Sequence, residues 1–556
     1  MSKYQSASVP ETADILIVGG GAAGCVLASR LSEQPSRRVV LIEAGPDVGV
    51  ATPPDIRDIF PRAYANPKYF WPHMMARMVP RAAARPFTQA RLLGGGSSVM
   101  GMWALRGLAD DFDGWGLQGW SFPDVLPYFR KLERDLDIAD SKHGNDGPIP
   151  IHRIDPGLWS PFTRALVEAG LSAGYHRGSD MNGSDADGIY ALPLSADRDG
   201  RASSLRYLDE TVRRRDNLSI GANCTVEGLQ FEGTRATGVR CRSSEGAEIR
   251  IAARQTILAC GAIHSPALLL RSGVGPSAAL KALGIDVIAD NPAVGRNLQN
   301  HVFLHLGCFI RPAARQATTL PNYITTCLRL SSGEHGARSA DLMLGFIARP
   351  GAHRLGNRMG MVGVHLYAPA SRGQVTLRRD ISGLKPDIDF CLLQDDSDRR
   401  RLTKATLIAR DLLSDPRVAD LSSDVFMLPA RAPIRLLNAP GPWSVAANWG
   451  LAAVATLPAP ARRAAIRAAL GHDALLSSDD DSLSDRVLAS AAPMFHVAGS
   501  CAMGAALNAD LTVRGIQNLY VADASAMPTV PRANTNIPTI MLAERAADMI
   551  RTHQVQ

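Results

Sequence analysis

The sequence predicts an α/β protein, α+β as a whole, in which a discontinuous dinucleotide-binding domain is interrupted by a second domain. Three observations predict it. Ile15, Leu16, Ile17 and Val18 lead into a G-x-G-x-x-G turn formed by Gly19, Gly21 and Gly24. Strand-like segments ending in glycine or an acidic residue recur near the middle and the C-terminus. At 556 residues the chain also exceeds the roughly 250–300 residues that one core supports.

In chain order, the apolar run at 15–18 reads as a strand, the glycines as a tight turn, and 25–31 as an amphipathic helix. A second strand at 39–42 ends on Glu43, nineteen residues after Gly24. A lone glycine motif is weak evidence, but the strand, the helix and the acid at this spacing agree. The glycines let backbone N–H groups approach a pyrophosphate at the helix N-terminus, and Glu43 can accept from a ribose hydroxyl. The motif alone does not separate FAD from NAD. Residues 91–101 carry Gly94, Gly95, Gly96, Ser97 and Ser98, a loop of small residues that lets a ring or phosphate reach the backbone.

Strand-like stretches follow at 218–220 and 238–241. Residues 256–261 read as a buried strand ending in a glycine turn, 267–270 as a helix, and 518–523 as a strand ending on Asp523. The last helix is expected at 539–550. Residues 301–490 are richer in Pro and Arg. Within them, 440–458 is apolar and carries Trp443 and Trp449, but Ser444, Asn448 and three prolines spoil it as a membrane span. Core packing is the leading expectation for it; a lid over the substrate entrance or a membrane-surface patch is the alternative. Asp479, Asp480 and Asp481 read as a solvated loop.

Composition narrows the function classes. Hydrophobic residues at 46% and charged residues at 20% exclude wholesale disorder. The net charge of +7 is thinly spread, without the basic stripe and interleaved aromatics of a nucleic-acid binder. Arg213, Arg214 and Arg215 read as a solvated helix end. Eight dispersed cysteines form no C-x-x-C pair, so neither a metal site nor a disulfide framework is expected. Reduced thiols, no visible signal peptide and no apolar run long enough to span a bilayer point to a cytoplasmic protein.

Four blocks make the chain resemble the glucose–methanol–choline (GMC) oxidoreductases across nearly its whole length. They are GAIHSPALLLRSGVG at 261–275, VGRNLQNH at 294–301, HVAGSCAMG at 496–504, and VADAS at 521–525 followed by NTNIPT at 534–539. The resemblance implies FAD as cofactor. It implies a Rossmann-type FAD-binding domain over 11–150, 201–300 and 493–553. A substrate-binding domain, an antiparallel sheet flanked by helices, would take 151–200 and 301–492. It further implies oxidation of a primary alcohol, aromatic, furanic or otherwise activated, to the aldehyde. The electrons would pass to O2 or a quinone- or dye-type acceptor, in a monomer or homodimer. Alternatives are a lyase on the same fold, a flavin-binding protein without catalysis, and a dehydrogenase of aliphatic or polymeric alcohols.

Residue by residue, His496 is the expected base, because imidazole titrates nearest neutrality. Asn536 is the expected hydrogen-bonding partner of the substrate oxygen, with Asn534 the alternative. The cofactor contacts are expected from Gly19, Gly21, Gly24, Glu43, Gly95, Ser97, Val226, Asp523, Ala524 and Pro538. Three departures from the family pattern matter. Val99 and Met100 stand where a flavin-attaching His and an Asn occur, so the FAD is expected to be non-covalent. Met494 and Phe495 precede His496, where they could crowd the access of oxygen. The segment from about 425 to 490 looks long. Cys501 is expected to be a packed thiol, and His264 and His301 to lie outside the catalytic pair.

Overall fold

The computed structural model describes residues 9–49, 51–59, 62–320, 322–351, 353–381, 383–430, 441–471, 475–476 and 482–552. Most of the N-terminal stretch, Pro440 and Asp479 to Asp481 lie outside the described residues.

The apolar run at 15–18 belongs to the strand Thr12–Val18, buried on both faces as a central parallel strand must be. It pairs in parallel with Val39–Ile42 on one side and Glu248–Leu258 on the other, and Leu218–Gly221 extends the sheet beyond Val39–Ile42. The long strand Glu248–Leu258 is shared by two partners on its far side. Its first half meets Arg235–Ser243 antiparallel, which continues to Cys224–Glu232, and its last three residues meet Leu519–Val521 in parallel. This is the mixed sheet of a Rossmann-type layer, completed by a strand more than 250 residues later in the chain.

The helix Ala22–Leu31 is packed between that sheet and the C-terminal helix, so eight of its ten residues are buried. Its exit is tied by Arg30, whose guanidinium reaches Glu544 on the C-terminal helix at 2.8 Å. Glu544 is fully buried, yet Arg30, Lys131 and the Tyr207 hydroxyl all donate to or pair with it. A buried carboxylate needs that company.

A second sheet is wholly antiparallel, in the order Ser422–Leu428, Val302–Ile310, Met359–Leu366, Leu342–Ile347, Ile324–Leu330 and Gly188–Ala191. Ala492–Pro493 pairs with the start of Val302–Ile310 and so delivers the chain directly to His496. The helix Asp396–Ser414 packs on this sheet, and buried apolar residues gather into one cluster around each of the two sheets.

Three local readings need correction. The C-terminal helix runs Asn536–Thr552, starting three residues before the expected position. Arg213 and Arg215 are not simply solvated: Arg213 forks onto Asp47 at 2.7 Å, and Arg215 donates to Ser29 O and Ser32 Oγ. The segment 441–458 is not core either. It forms the helix Pro442–Val454 with Trp443 88% and Trp449 54% exposed. All eight cysteines are free thiols, six of them buried, Cys501 included. Among the described residues no helix is long and apolar enough to cross a membrane.

Candidate active site

Two cavities meet at the C-terminal ends of the parallel strands, where open α/β sheets bind ligands. The larger, about 980 Å³, is lined by Gly19, Gly21, Glu43, Val226, Asp523 and Ala524, among others. Its floor is two glycine turns fitted together. Gly19 has φ +103°, and a Cβ there would lie 2.5 Å from Ala259 O. Gly95 has φ +53°, and a Cβ there would lie 2.8 Å from Gly21 Cα. Gly94 N–H donates to Gly20 O at 2.7 Å, so the loop at 91–101 is fastened to the first turn. It also contains a short helix, Gly96–Val99, not foreseen from its composition.

Glu43 anchors this floor. Gly20 N–H donates to its Oε2 at 2.8 Å and Gly45 N–H to its Oε1 at 2.7 Å. Burial pushes its carboxyl pKa up, and those two backbone donors pull it back down. Each oxygen keeps a lone pair for a ribose hydroxyl, since an ionised carboxylate offers about four acceptor sites. Asp523 lines the cavity, and its carboxylate also has donors within the chain. Gly261 N–H and Ser265 Oγ donate to its Oδ2 at 2.9 and 2.6 Å, and Ser525 N–H to its Oδ1. It lines the cavity while stapling the middle and C-terminal glycine and acid segments together.

Gly24 and Pro538 line neither cavity. Gly24 instead lets the helix press against Gly19 O, where a Cβ has no room. Pro538 is buried in the first turn of its helix, and Thr539 takes the place at the cavity wall. Ser97 donates to Gly94 O at 2.6 Å and borders the smaller cavity. Val99 is fully buried beside Tyr69 and Phe70, and Met100 faces the smaller cavity.

The smaller cavity, about 410 Å³, shares Ala22, Gln89, Gly96, Gly261, Ala524 and Thr539 with the larger, so the two adjoin. Tyr64, Trp103, Phe303, Tyr323 and Phe495 supply aromatic walls, and among the described residues no Asp, Glu, Lys or Arg lines it. His496 and Asn536 stand on the same wall system, one delivered by the strand Ala492–Pro493, the other by the N-terminus of the last helix. Phe495, immediately before His496, holds φ +63°, a conformation bulky residues avoid. Its ring is pinned by Phe87 at 5.7 Å and Tyr64 at 5.8 Å. The next backbone N–H, that of His496, donates to Asn300 Oδ1 at 3.0 Å.

His496 is buried, and burial depresses its pKa to about 3, so the resting imidazole is neutral. Its Nδ1 lies 2.9 Å from Nδ1 of His301, a residue that sequence reasoning set outside the pair. His301 stacks on the Tyr367 ring at 4.5 Å, and its Nε2 completes no hydrogen bond. The backbone carbonyls of Pro531 and Tyr367 nonetheless favour a proton on this ring. Asn534 is already engaged, accepting from the Tyr367 hydroxyl at 2.7 Å, whereas the Asn536 side chain has no protein hydrogen bond among the described residues.

Two further histidines went unnoticed in the sequence. His305 and His365 line the same cavity, with pKa values depressed by burial to about 4 and about 3. His365 Nδ1 lies 3.1 Å from Met343 O, which can only accept, so the proton sits on Nδ1 and Nε2 keeps its lone pair. The available signal was a period of two: 301, 303 and 305 fall on one face of a strand. His264 lines the larger cavity, stacked on Trp71 at 4.6 Å.

Away from both cavities, Glu133, Asp135 and His143 lie close enough to hold a metal. Two arginines already serve them: Arg106 pairs with Glu133, and Arg153 with Asp135 at 2.9 Å. His143, set between Glu133 and Asp180, has its pKa pushed up to about 10 and completes an internal ion-pair network.

The larger cavity fits FAD on its own terms. Its volume lies at the upper end of the range for ligand pockets, its floor is backbone freed of side chains, and the acid Glu43 lines it beside the first glycine turn. Residues 13–303 and 369–543 match two family models, each described as GMC oxidoreductase. The chain is 37% identical over 570 residues to a 5-(hydroxymethyl)furfural oxidase of Methylovorus sp. (strain MP688), covering 97% of this chain and 98% of that one. It is 33% identical to an oxygen-dependent choline dehydrogenase of Burkholderia pseudomallei (strain K96243), covering 97% and 94%. Among solved structures, pyridoxine 4-oxidase from Mesorbium loti superposes with a TM-score of 0.79 at 27% identity, over 98% of this chain and all of that one. Formate oxidase from Aspergillus oryzae RIB40 has the same fold, at a TM-score of 0.81, 22% identity, and coverage of 99% and 100%.

Proposed function

The chain belongs to the GMC oxidoreductases, FAD-dependent enzymes acting on alcohols, and from that premise we propose that it oxidises a neutral primary alcohol, aromatic, furanic or otherwise activated, to the aldehyde. The observation that carries this reading is one cavity. His496 and Asn536 share an uncharged, aromatic-walled space that adjoins the dinucleotide cavity.

Bound FAD supplies the acceptor for the hydride that leaves the carbinol carbon. The chain's own work is on the hydroxyl. A neutral His496 that keeps its Nδ1 proton, donated to His301 Nδ1, presents Nε2 with a free lone pair. That lone pair takes the hydroxyl proton as the carbon–hydrogen bond breaks. Asn536 donates its amide N–H to the substrate oxygen, holding it in place without competing for the proton. The aromatic walls orient the substrate body and keep bulk water from the reacting atoms. A cationic alcohol would enter with no carboxylate to pair it, which supports a neutral substrate over choline.

The same reading assigns FAD to Gly19, Gly21, Glu43, Gly95 and Val226, held without a covalent bond because Val99 offers no nucleophile. It divides the chain into an FAD-binding domain (11–150, 201–300 and 493–553) and a substrate-binding domain (151–200 and 301–492). The oxidant is O2 or a quinone-type acceptor.

The test is anaerobic flavin reduction over benzylic, furanic, aliphatic and quaternary-ammonium alcohols, followed by oxygen uptake against dye reduction. Fast bleaching by benzylic or furanic alcohols and slow bleaching by choline is the expected result. A preference for choline, or no bleaching by any alcohol, would overturn the reading.

A further inference from the structure

The helix Pro442–Val454 is apolar almost all round, yet most of its side chains face outward. Trp443, Val445, Ala446, Ala447, Trp449 and Ala453 are exposed, while only Asn448 and Ala452 are buried. Its two polar side chains satisfy the helix's own backbone: Ser444 Oγ donates to Gly441 O at 3.0 Å, and Asn448 Nδ2 to Ser444 O at 2.7 Å. Four of the eight large apolar side chains exposed among the described residues fall between Trp443 and Leu457. Apolar faces of this kind mark a surface that something else covers.

Charge identifies what covers it. Residues 425–472 contain five arginines and no Asp or Glu, in a chain with 53 acidic residues among its 556. Asp424, just before this stretch, takes up Arg462 and Arg463. More cations stand beside the helix from the loop preceding Met359–Leu366. Arg354 lies 3.6 Å from the centre of the Trp449 ring, and Arg358 donates to Ala452 O at 2.6 Å. Tryptophans on an apolar face bordered by arginines are the composition of a helix lying in a lipid headgroup layer. A second copy is the poorer occupant, because a symmetric contact would set two basic segments against each other.

We propose that Pro442–Val454 is a surface anchor that seats the protein on an anionic lipid bilayer, with Trp443 and Trp449 in the headgroup layer and the neighbouring arginines against lipid phosphates and carboxylates. The attachment is peripheral and needs no spanning helix.

The test is sedimentation of the FAD-loaded, full-length protein with vesicles of phosphatidylcholine alone, or of phosphatidylcholine and phosphatidylserine in equal parts. Binding to the second kind, weakened by salt and accompanied by a blue shift of Trp443 emission, is expected. Trp443→Ser should cost about 10- to 100-fold in partitioning, the worth of one large buried apolar side chain. Arg467→Gln, at an exposed position on the following helix Ala459–Leu470, should cost about fivefold, as for one basic residue near an anionic surface. Both variants should keep their FAD and melting temperature, which shows that a loss of binding is not a loss of fold. Three outcomes would overturn the proposal: protein left in the supernatant with both vesicles, equal binding to both, or a concentration-dependent dimer abolished by Trp443→Ser in protein that ignores lipid.

Discussion

His496 and His301 meet Nδ1 to Nδ1 at 2.9 Å in the buried wall of the aromatic cavity. Two neutral imidazoles can share such a contact in one way only: one nitrogen carries the proton and the other accepts it. If His301 accepts, His496 keeps its reactive Nε2 lone pair; if His301 donates, that lone pair is lost to a proton. The carbonyls of Pro531 and Tyr367 beside His301 favour a proton on its ring, and the productive arrangement is the one that places this proton on Nε2 and leaves Nδ1 to accept. We propose that His301 positions His496, although its place in a separate sequence block set it outside the catalytic pair.

His301→Leu should therefore lower the anaerobic flavin-reduction rate about 2- to 12-fold, the equivalent of one hydrogen bond of about 0.5–1.5 kcal/mol. The loss should fall on kcat with KM unchanged, and FAD content should stay constant. His301→Asn, whose amide oxygen can accept in place of Nδ1, should recover most of the rate. Equal rates for the Leu and Asn variants would show that His301 acts by packing alone.

The proposed catalytic pair, His496 and Asn536, separates by magnitude. His496→Ala should slow flavin reduction by about 10²–10⁴-fold, the usual range for general acid–base catalysis. The deficit should shrink as pH rises, because alkoxide then forms without a base. Asn536→Ala removes a hydrogen bond and should cost on the order of 10–100-fold, about 1.4–2.8 kcal/mol. In the unmodified enzyme the rate should be flat from neutral pH down well past 6.5, because His496 stays neutral until about pH 3. A rate for His496→Ala within a few-fold of the unmodified enzyme would move the base elsewhere.

Glu43→Ala should weaken FAD retention by about 1.5–3 kcal/mol for the charge-assisted bond to a ribose hydroxyl. It should also loosen the turn, because Gly20 and Gly45 lose their acceptor. Acid or heat precipitation should leave yellow supernatant and colourless protein. Flavin that stays with the denatured chain would contradict the non-covalent reading.

These residues differ in how legible they were. The turn at Gly19, Gly21 and Gly24 with Glu43 could be read because strand, turn and helix are contiguous, and local sequence carries the whole device. His496 and Asn536 came from blocks whose resemblance fixed the residue types. What the sequence hid is tertiary. His301 meets His496 only when Val302–Ile310 pairs with Ala492–Pro493, and His365 joins His305 at the cavity only when Val302–Ile310 pairs with Met359–Leu366, Phe303 opposite His365. Asp523 was seen as a strand end, but its three donors come from Gly261, Ser265 and Ser525, and two of these are more than 250 residues away. The exposed Trp443 was misread as core because composition reports apolarity and not which side of a helix meets the protein.

The histidines also set the response of stability to pH. His264, His365 and His496 are depressed to about 3 and His305 to about 4, and His301 is lowered too, in each case first by burial. In the unfolded chain they titrate near 6.5, so below that pH the unfolded state binds more protons than the folded one. Stability is therefore lost as pH falls from about 6.5 towards 4, by up to about 1.4 kcal/mol per pH unit for each buried histidine. His143 has the opposite sign. Its pKa is raised to about 10 by its carboxylates, so its contribution is complete below about 6.5 and is lost as pH rises through 10. Five slopes against one place the stability maximum a little above pH 7. Urea unfolding with FAD in excess, at pH 5, 7 and 9, should show it. His264→Gln should flatten the acid side alone, and His143→Gln the alkaline side alone, beyond whatever each costs at the maximum. A stability that is level from pH 5 to 7 would mean that these histidines are hydrated and already protonated in the folded protein, and it would also remove the neutral His496 on which the proton transfer depends.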